Sequence, residues 1–106
     1  MTELPEQLLG AEVRSVQLKR GALHVGFEGR FYFEIQAPWL TENLATGDEC
    51  HLGDIVGLRL VSVSASARDL EIAFGSHRVR VALHDAQRKD QFAAILFEAD
   101  WPFVKW

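Results

Sequence analysis

The chain has 106 residues, of which 48% are hydrophobic and 25% charged, a composition typical of one folded domain and not of a disordered chain. Fifteen acidic against eleven basic residues give a net charge of −4, which argues against a general nucleic-acid-binding protein because such proteins carry a basic face. The single cysteine excludes an internal disulfide and every structural zinc pattern that needs paired cysteines.

The N-terminal segment carries none of the features of a targeting sequence. Its first ten residues contain two Glu and one Pro, without the basic start and apolar run of a signal peptide. No apolar stretch in the chain approaches the roughly 20 residues that a membrane-spanning helix needs. We therefore expect a cytoplasmic protein that does not bind a membrane.

The most informative feature is an internal repeat with a period of 47 residues. Segments 10–27 and 57–74 align without gaps, and five of these eighteen positions are identical. The identical pairs are Gly10/Gly57, Ser15/Ser62, Val16/Val63, Leu23/Leu70 and Phe27/Phe74. Apolar residues also fall at equivalent positions in both segments, and we therefore interpret the repeat as a duplication.

The first copy, residues 10–36, contains two strands joined by the turn Glu28-Gly29-Arg30. Apolar residues alternate with polar ones along both strands, which predicts half-buried β-strands. The inward residues are Leu23, Val25, Phe27, Phe31, Phe33 and Ile35. Before these strands, Val13 and Val16 stand three positions apart, a slip in phase that predicts a β-bulge in a preceding strand.

The second copy, residues 57–84, repeats this pattern. Its inward residues are Leu70, Ile72, Phe74, Val79, Val81 and Leu83. Leu60 and Val63 show the same slip, and a predicted four-residue turn at 75–78 shifts the offset between the copies from 47 to 48. Each copy is thus a three-stranded meander. We predict a mainly β fold in which two meanders related by pseudo-two-fold symmetry form a sandwich or a small barrel.

Two segments lie outside the copies in this single domain. The connector, residues 37–56, has Pro38, Gly47 and Gly53 as breakers, and we expect one helical turn at 41–45. The C-terminal extension, residues 85–106, fits either a strand or a short helix over 86–99. We favour a strand because the sheet offers an edge to extend, and Pro102 confines a last strand at 103–106 to an edge.

Motifs of the common enzyme classes are absent from the sequence. There is no phosphate-binding loop, dinucleotide glycine fingerprint, nucleophile elbow or His-Glu-x-x-His pair, so we predict no catalytic residue and no cofactor. The histidines are His24, His51, His77 and His84. Two of them could converge with Cys50 or Asp85 into a metal site, but no ligand spacing selects such a set, so we predict no metal site. We expect His24 on an outward face opposite Glu34. Cys50 is expected to be a free, incidental cysteine.

The acidic connector, defined here as residues 42–54, contains four acidic residues and no Lys or Arg. These residues are Glu42, Asp48, Glu49 and Asp54. An acidic loop on a rigid scaffold suits a basic partner surface. Trp39 is then an interface anchor beside it, and the outward Tyr32 extends the surface. The alternatives are that the connector is an ordinary solvated loop and that at least two of the three tryptophans, Trp39, Trp101 and Trp106, cap the open ends of the core.

Three stretches carry a family resemblance: the start Gly10-x-x-Val13-x-x-Val16 with the hairpin after it, the matching stretch 57–83, and the terminal Val104-Lys105-Trp106. This layout resembles a group of small bacterial duplicated-β proteins of unassigned function. A glycine-rich turn before the last Trp is replaced here by Asp100-Trp101-Pro102. The resemblance implies an immunity-type protein, which binds and neutralises a toxin domain.

Three hypotheses on function follow from the sequence. The favoured one is a non-catalytic protein-binding module, most specifically an immunity protein that occludes the active site of a basic toxin domain. The second is a homodimer formed through exposed strand edges and the aromatic tail. The third is a small-ligand-binding β-barrel that uses Tyr32, His24 and Glu34.

Overall fold

The computed structural model describes residues 8–83 and 92–106. The described residues form nine strands and one 3₁₀ helix at Leu52–Ile55. The strands are β1 Val13–Lys19, β2 Ala22–Phe27, β3 Phe31–Ile35, β4 Trp39–Asn43, β5 Ser62–Ala65, β6 Asp69–Ala73, β7 His77–Ala82, β8 Ala94–Glu98 and β9 Trp101–Lys105. The predicted mainly β class is therefore confirmed.

The strands form two antiparallel sheets. The first has five strands in the order β1-β2-β3-β8-β9, and the second has four in the order β4-β7-β6-β5. Each sheet contains one predicted meander and is extended by strands from the connector or the C-terminal extension. Within the described part of the chain, neither sheet closes on itself as a barrel.

One hydrophobic core collects the inward side chains of both sheets. The predicted alternation is confirmed at most positions, including Phe33 and Leu70, whose exposed fraction is 0%. Full burial of an apolar side chain of this size stabilises the fold by about 1.5–3 kcal/mol. Phe31 and Leu83, at the ends of their strands, are only partly buried and pack against the edge of the core.

The two meanders differ at their turns. The first turn lies where the sequence places it, with Gly29 at a φ of 85°, and β1 carries the predicted bulge between Val13 and Ser15. The predicted four-residue turn at 75–78 is wrong, because His77 and Arg78 already belong to β7. A glycine at position 75 with a φ of 79° permits a tighter two-residue turn, which the hydrogen-bonded pair of residues 74 and 77 closes.

The starts of the two meanders run antiparallel to each other. Segments 10–13 and 57–60 are joined by four backbone hydrogen bonds of 2.7–2.9 Å, around the paired residues Glu12 and Arg59. The exchange satisfies backbone groups that would otherwise be buried without partners. This seam connects the first sheet to the second.

The connector contributes strand β4 and the 3₁₀ helix, and the described part of the C-terminal extension contributes strands β8 and β9. The expected helical turn at 41–45 is wrong, since residues up to 43 belong to β4 and find their hydrogen-bond partners in β7. The strand prediction is confirmed at 94–98, and Pro102 lies in β9, at the edge of the first sheet. Residues 84–91, including His84, lie outside the described residues. Within the described ranges, no helix has the length and hydropathy needed to cross a membrane.

Candidate functional site

The acidic connector is held against the free edge of β4. After a turn at 44–47 the chain returns antiparallel to β4, where Cys50 N donates to Thr41 O at 2.9 Å and Asn43 N donates to the carbonyl of residue 48 at 2.9 Å. Glu42 and Glu49 form the bridge pair between these two segments. The carboxylates that this backbone leaves exposed are Asp48, Glu49 and Asp54.

Glu42 does not belong to the exposed acidic surface that the sequence suggested. Its side chain is 5% exposed because β4 pairs with β7 and places it between Arg78 and Arg80. Arg78 Nη2 donates to its carboxylate at 3.0 Å, and Arg80 donates to the other carboxylate oxygen. Burial raises the pKa of the Glu42 carboxyl, but the two guanidinium groups outweigh burial and hold this pKa below its ordinary value.

Trp39 packs against the core. It is half-buried at the start of β4, opposite Val81, and belongs to the hydrophobic residues around the core cluster. Trp106 packs at 5.9 Å from the ring of Phe33, whereas Trp101 is 73% exposed. Two of the three tryptophans, Trp39 and Trp106, therefore pack against the core. Because Trp39 is also partly exposed, its role as an interface anchor stays a prediction.

Tyr32 lies on the outward face of the first sheet, whereas the acidic connector runs along β4 in the second. Its ring stacks on Phe97 at 4.8 Å and on His24 at 6.0 Å. His24 faces Glu34 across the β2–β3 pair, as predicted. Burial raises the pKa of the Tyr32 hydroxyl, and the carboxylates of Asp100 and Glu34 raise it further.

A shallow depression lies beside this aromatic stack, with a volume of about 430 Å³ and a lining that includes His24, Gly26 and Tyr32. A second depression of about 690 Å³ is lined by His24, Glu34 and Gln36 among others. The structure thus brings the three residues of the small-ligand hypothesis onto one face.

A cluster that the sequence did not reveal joins Cys50, Asp54 and His77. Their potential ligand atoms all lie within 4.8 Å of one another. Burial raises the pKa of the half-buried Cys50 thiol, and Asp54 is the next contribution in the same direction. A thiol of this kind is a weak nucleophile at neutral pH.

The cluster could not be found from residue spacing, because its members come from separate parts of the chain. Cys50 and Asp54 lie in the connector, and His77 opens β7. The antiparallel pairing of β4 with β7 places His77 opposite Asn43, next to the returning connector. The cluster could have been found from the sequence only if the pairing of β4 with β7 had been predicted.

Comparison with known proteins identifies no relative: no family model, no curated protein and no solved structure matches this chain. The resemblance to small bacterial duplicated-β proteins therefore stays a prediction. The function is inferred from the geometry and chemistry of the molecule itself.

Proposed function

We propose that the protein is a non-catalytic protein-binding module whose acidic connector engages a basic surface of its partner. The observation that carries this proposal is the set of exposed carboxylates of Asp48, Glu49 and Asp54, on a segment without Lys or Arg. Because hydrogen bonds to β4 hold the backbone around residues 48–50, this part of the segment loses little backbone conformational entropy on binding.

Charge and exposure both favour a basic partner. With Glu42 neutralised by its arginines, the exposed carboxylates still carry three negative charges, and such a field raises the association rate with a basic surface. Leu44, within the acidic connector, and Val56, two residues beyond its end, are 43% and 44% exposed. They supply the apolar contact that the centre of a protein interface needs.

In its most specific form the proposal describes an immunity-type protein. The exposed carboxylates cover the basic catalytic cleft of a toxin domain, and inhibition is steric and electrostatic. This role needs a rigid surface and no reacting group of its own. The weak nucleophilicity expected of the Cys50 thiol is compatible with it.

The scaffold, in this proposal, is a duplicated β unit packed as a sandwich. Support comes from pairs that repeat at an offset of 47: Ser15 pairs with Gly26, and Ser62 pairs with Ala73. The hydrogen bonds of the seam also interchange under this offset. Because both sheets contribute to one core cluster, the edge of β4 that carries the connector is held rigidly.

The test uses a double charge reversal, Asp48→Lys with Glu49→Lys, which leaves Asp54 in place. Its matched control is Glu98→Lys with Asp100→Lys, which changes the net charge equally but on the β8–β9 hairpin of the other sheet. A partner is captured from a lysate of the source organism at low and high salt, identified by mass spectrometry and titrated as a purified protein.

We expect the connector variant to lose at least about tenfold in affinity, equivalent to about 1.4 kcal/mol, and to show a weaker dependence on salt. The control variant keeps most of its affinity. Equal losses in both variants, or unchanged affinity and salt dependence in the connector variant, would sink the proposal.

The aromatic stack supports a second candidate, the binding of a small ligand on the outward face of the first sheet. His24, Tyr32 and Glu34 lie together there beside the two depressions. A ligand that binds the folded state raises the melting temperature. A panel of small molecules should then stabilise the wild type and not Tyr32→Ala, whereas an absence of shifts in both rejects this candidate.

The homodimer hypothesis gains less support from the structure. The β9 edge exposes Trp101 and Phe103, but it also carries Pro102, a break in the β8–β9 register and Lys105. These are devices that natural sheets use to prevent edge-to-edge pairing. A dimer in light scattering at high concentration, lost on Phe103→Lys, would restore this hypothesis.

A further inference from the structure

We propose that Cys50, Asp54 and His77 form a binding site for a transition-metal ion of the zinc type. Their sulfur, carboxylate oxygen and imidazole nitrogen atoms all lie within 4.8 Å of one another. This donor set is the one that Zn²⁺ uses in proteins, while Mg²⁺ and Ca²⁺ prefer oxygen ligands alone. The inference does not rest on the proposed function.

The backbone at each ligand is fixed by hydrogen bonds. Cys50 N donates to Thr41 O at 2.9 Å, which holds the thiol-bearing residue beside β4. Asp54 N donates to the carbonyl of residue 51 at 3.0 Å within the 3₁₀ helix, and the carbonyl of His77 accepts a bond of 2.7 Å in the β6–β7 turn. Because the backbone of each ligand residue is held by its own hydrogen bond, only the side chains need to move for the three ligand atoms to reach a metal ion.

The adjustment required is small. A tetrahedral ion with bonds of about 2.0–2.3 Å holds its ligand atoms roughly 3.3–3.8 Å apart. Because the three ligand atoms already lie within 4.8 Å of one another, they need to approach by at most roughly 1–1.5 Å. Asp54 is exposed and free to change rotamer, whereas Cys50 and His77 are half-buried and pre-positioned. Three protein ligands leave a fourth position for water.

Ser76 is the positioning residue of this site. Its Oγ lies 2.7 Å from Nδ1 of His77. When the hydroxyl accepts a hydrogen bond from Nδ1–H, the imidazole is held in the tautomer whose Nε2 lone pair is available to bind a metal ion. Metal-binding histidines in proteins are oriented by this kind of hydrogen bond on the other ring nitrogen.

The charge around the cluster favours a cation. Asp48 and Glu49 precede Cys50 directly and are exposed, so they add negative potential without being ligands. On binding, the thiol of Cys50 releases its proton to solvent, and the thiolate with the Asp54 carboxylate balances the two positive charges of the ion.

The experiment titrates the chelator-treated full chain with Co²⁺ and then with Zn²⁺. We expect a saturable thiolate-to-cobalt charge-transfer band at one ion per chain, its displacement by Zn²⁺, and a rise in melting temperature with Zn²⁺. Cys50→Ser abolishes the charge-transfer band. His77→Ala and Asp54→Asn each weaken affinity by at least about tenfold, and Ser76→Ala by about tenfold.

Matched controls are His24→Ala, a half-buried strand histidine outside the cluster, and Asp48→Asn, an exposed acid beside it. Both keep the spectrum and an affinity within a few-fold of the wild type. Circular dichroism of the metal-free variants checks folding, and where Cys50→Ser fails to fold, the d–d bands of His77→Ala and Asp54→Asn still report the geometry.

Absence of a saturable charge-transfer band in the wild type would overturn the site. Equal binding of Zn²⁺ to wild type, His77→Ala and Asp54→Asn would also overturn it, since this result means an adventitious surface ion only. The proposed function is tested separately, because the Asp48→Lys, Glu49→Lys variant spares all three ligands. In that variant, loss of partner binding with an intact cobalt spectrum supports both proposals. Unchanged partner binding with an intact spectrum rejects the proposed function alone, and loss of partner binding in a protein whose wild type shows no cobalt band rejects the metal site alone.

Discussion

The outward faces of the two sheets carry different kinds of side chain, although the strands of both sheets follow the same alternation of inward apolar and outward polar residues. On the first sheet, Tyr32 stacks between His24 and Phe97. On the second, Glu42 is enclosed by Arg78 and Arg80. The inward positions of both meanders fill the core, so core packing constrains these residues. The outward positions are not constrained in this way and can therefore differ between the two sheets.

The two faces also differ in how easily they tolerate change. The ionic face buries a carboxylate whose desolvation is offset only while both arginines remain in place. Within the described residues it also contains Arg78 Nε, buried without a hydrogen-bond partner. Among the described residues, the aromatic face contains no buried charged side chain, and it depends on partly exposed ring contacts. The ionic face is therefore the more fragile.

Glu42→Gln should be the most damaging of the three outward substitutions considered. It removes the charge that two half-buried guanidinium groups share, and hydrogen bonds to charged groups contribute about 1.5–3 kcal/mol, so we expect a loss of about 2–3 kcal/mol in the free energy of unfolding. Urea denaturation measures this loss. Its control is Glu28→Gln, which breaks ion pairs with Arg14 and Arg59 at an exposed site and should cost far less.

The stability difference between the wild type and Glu42→Gln should also depend on pH. Because the folded-state pKa of Glu42 is lowered, its contribution is fully present above the unfolded pKa of the carboxyl and is lost as pH falls through the folded pKa. The difference in stability between wild type and Glu42→Gln should therefore shrink in acid. A difference that stays constant from neutral to acidic pH contradicts the ion-pair explanation.

Tyr32→Ala should have an intermediate effect. It removes a stack with a centroid distance of 4.8 Å and an interplanar angle of 11°. Such pairs contribute about 0.5–1.5 kcal/mol beyond area burial, so a total loss of about 1–2 kcal/mol is expected by thermal or urea denaturation. Phe103→Ala, at an exposed aromatic on β9, is the matched control and should change stability less. Equal losses would show that the stack is not the cause.

Gly26→Ala should have the smallest effect. A Cβ there would lie 2.7 Å from Ser15 Oγ, a hydroxyl that rotates away at low cost. The corresponding β5–β6 pair already holds Ser62 opposite Ala73. We expect a change of less than about 1 kcal/mol, below the usual cost of overpacking. A larger loss that Ser15→Ala relieves in the double variant would mean that β1 and β2 are packed more tightly than β5 and β6.

The fold was predictable wherever the information was local. Alternation placed the hairpin strands and their buried residues, including Val25 and Ile72, because a half-buried strand repeats every two residues. The β6–β7 turn was mispredicted because a glycine with positive φ at position 75 permits a tighter turn than residue counting suggests. The connector strand β4 was missed because its partner, β7, lies far along the chain.

In the candidate site, too, the features set by local sequence were predictable and those set by long-range strand pairing were not. The exposure of Asp48 and Glu49 agrees with the composition of the connector. The burial of Glu42 and the approach of His77 to Cys50 both depend on the β4–β7 pair, which no local pattern encodes. Local composition thus identified the segment that carries the chemistry, while long-range strand pairing decided which of its residues meet.

The positions of β4 and β8 have a consequence for how the chain folds. Each strand follows one meander in sequence but completes the sheet of the other, so that Trp39 pairs with Val81 and Ile35 with Ala94. These contacts raise the contact order of a protein otherwise built from local hairpins, which slows folding. During synthesis β3 keeps an unpaired edge until the C-terminal strands emerge, and neither half of the chain contains all the strands of one sheet.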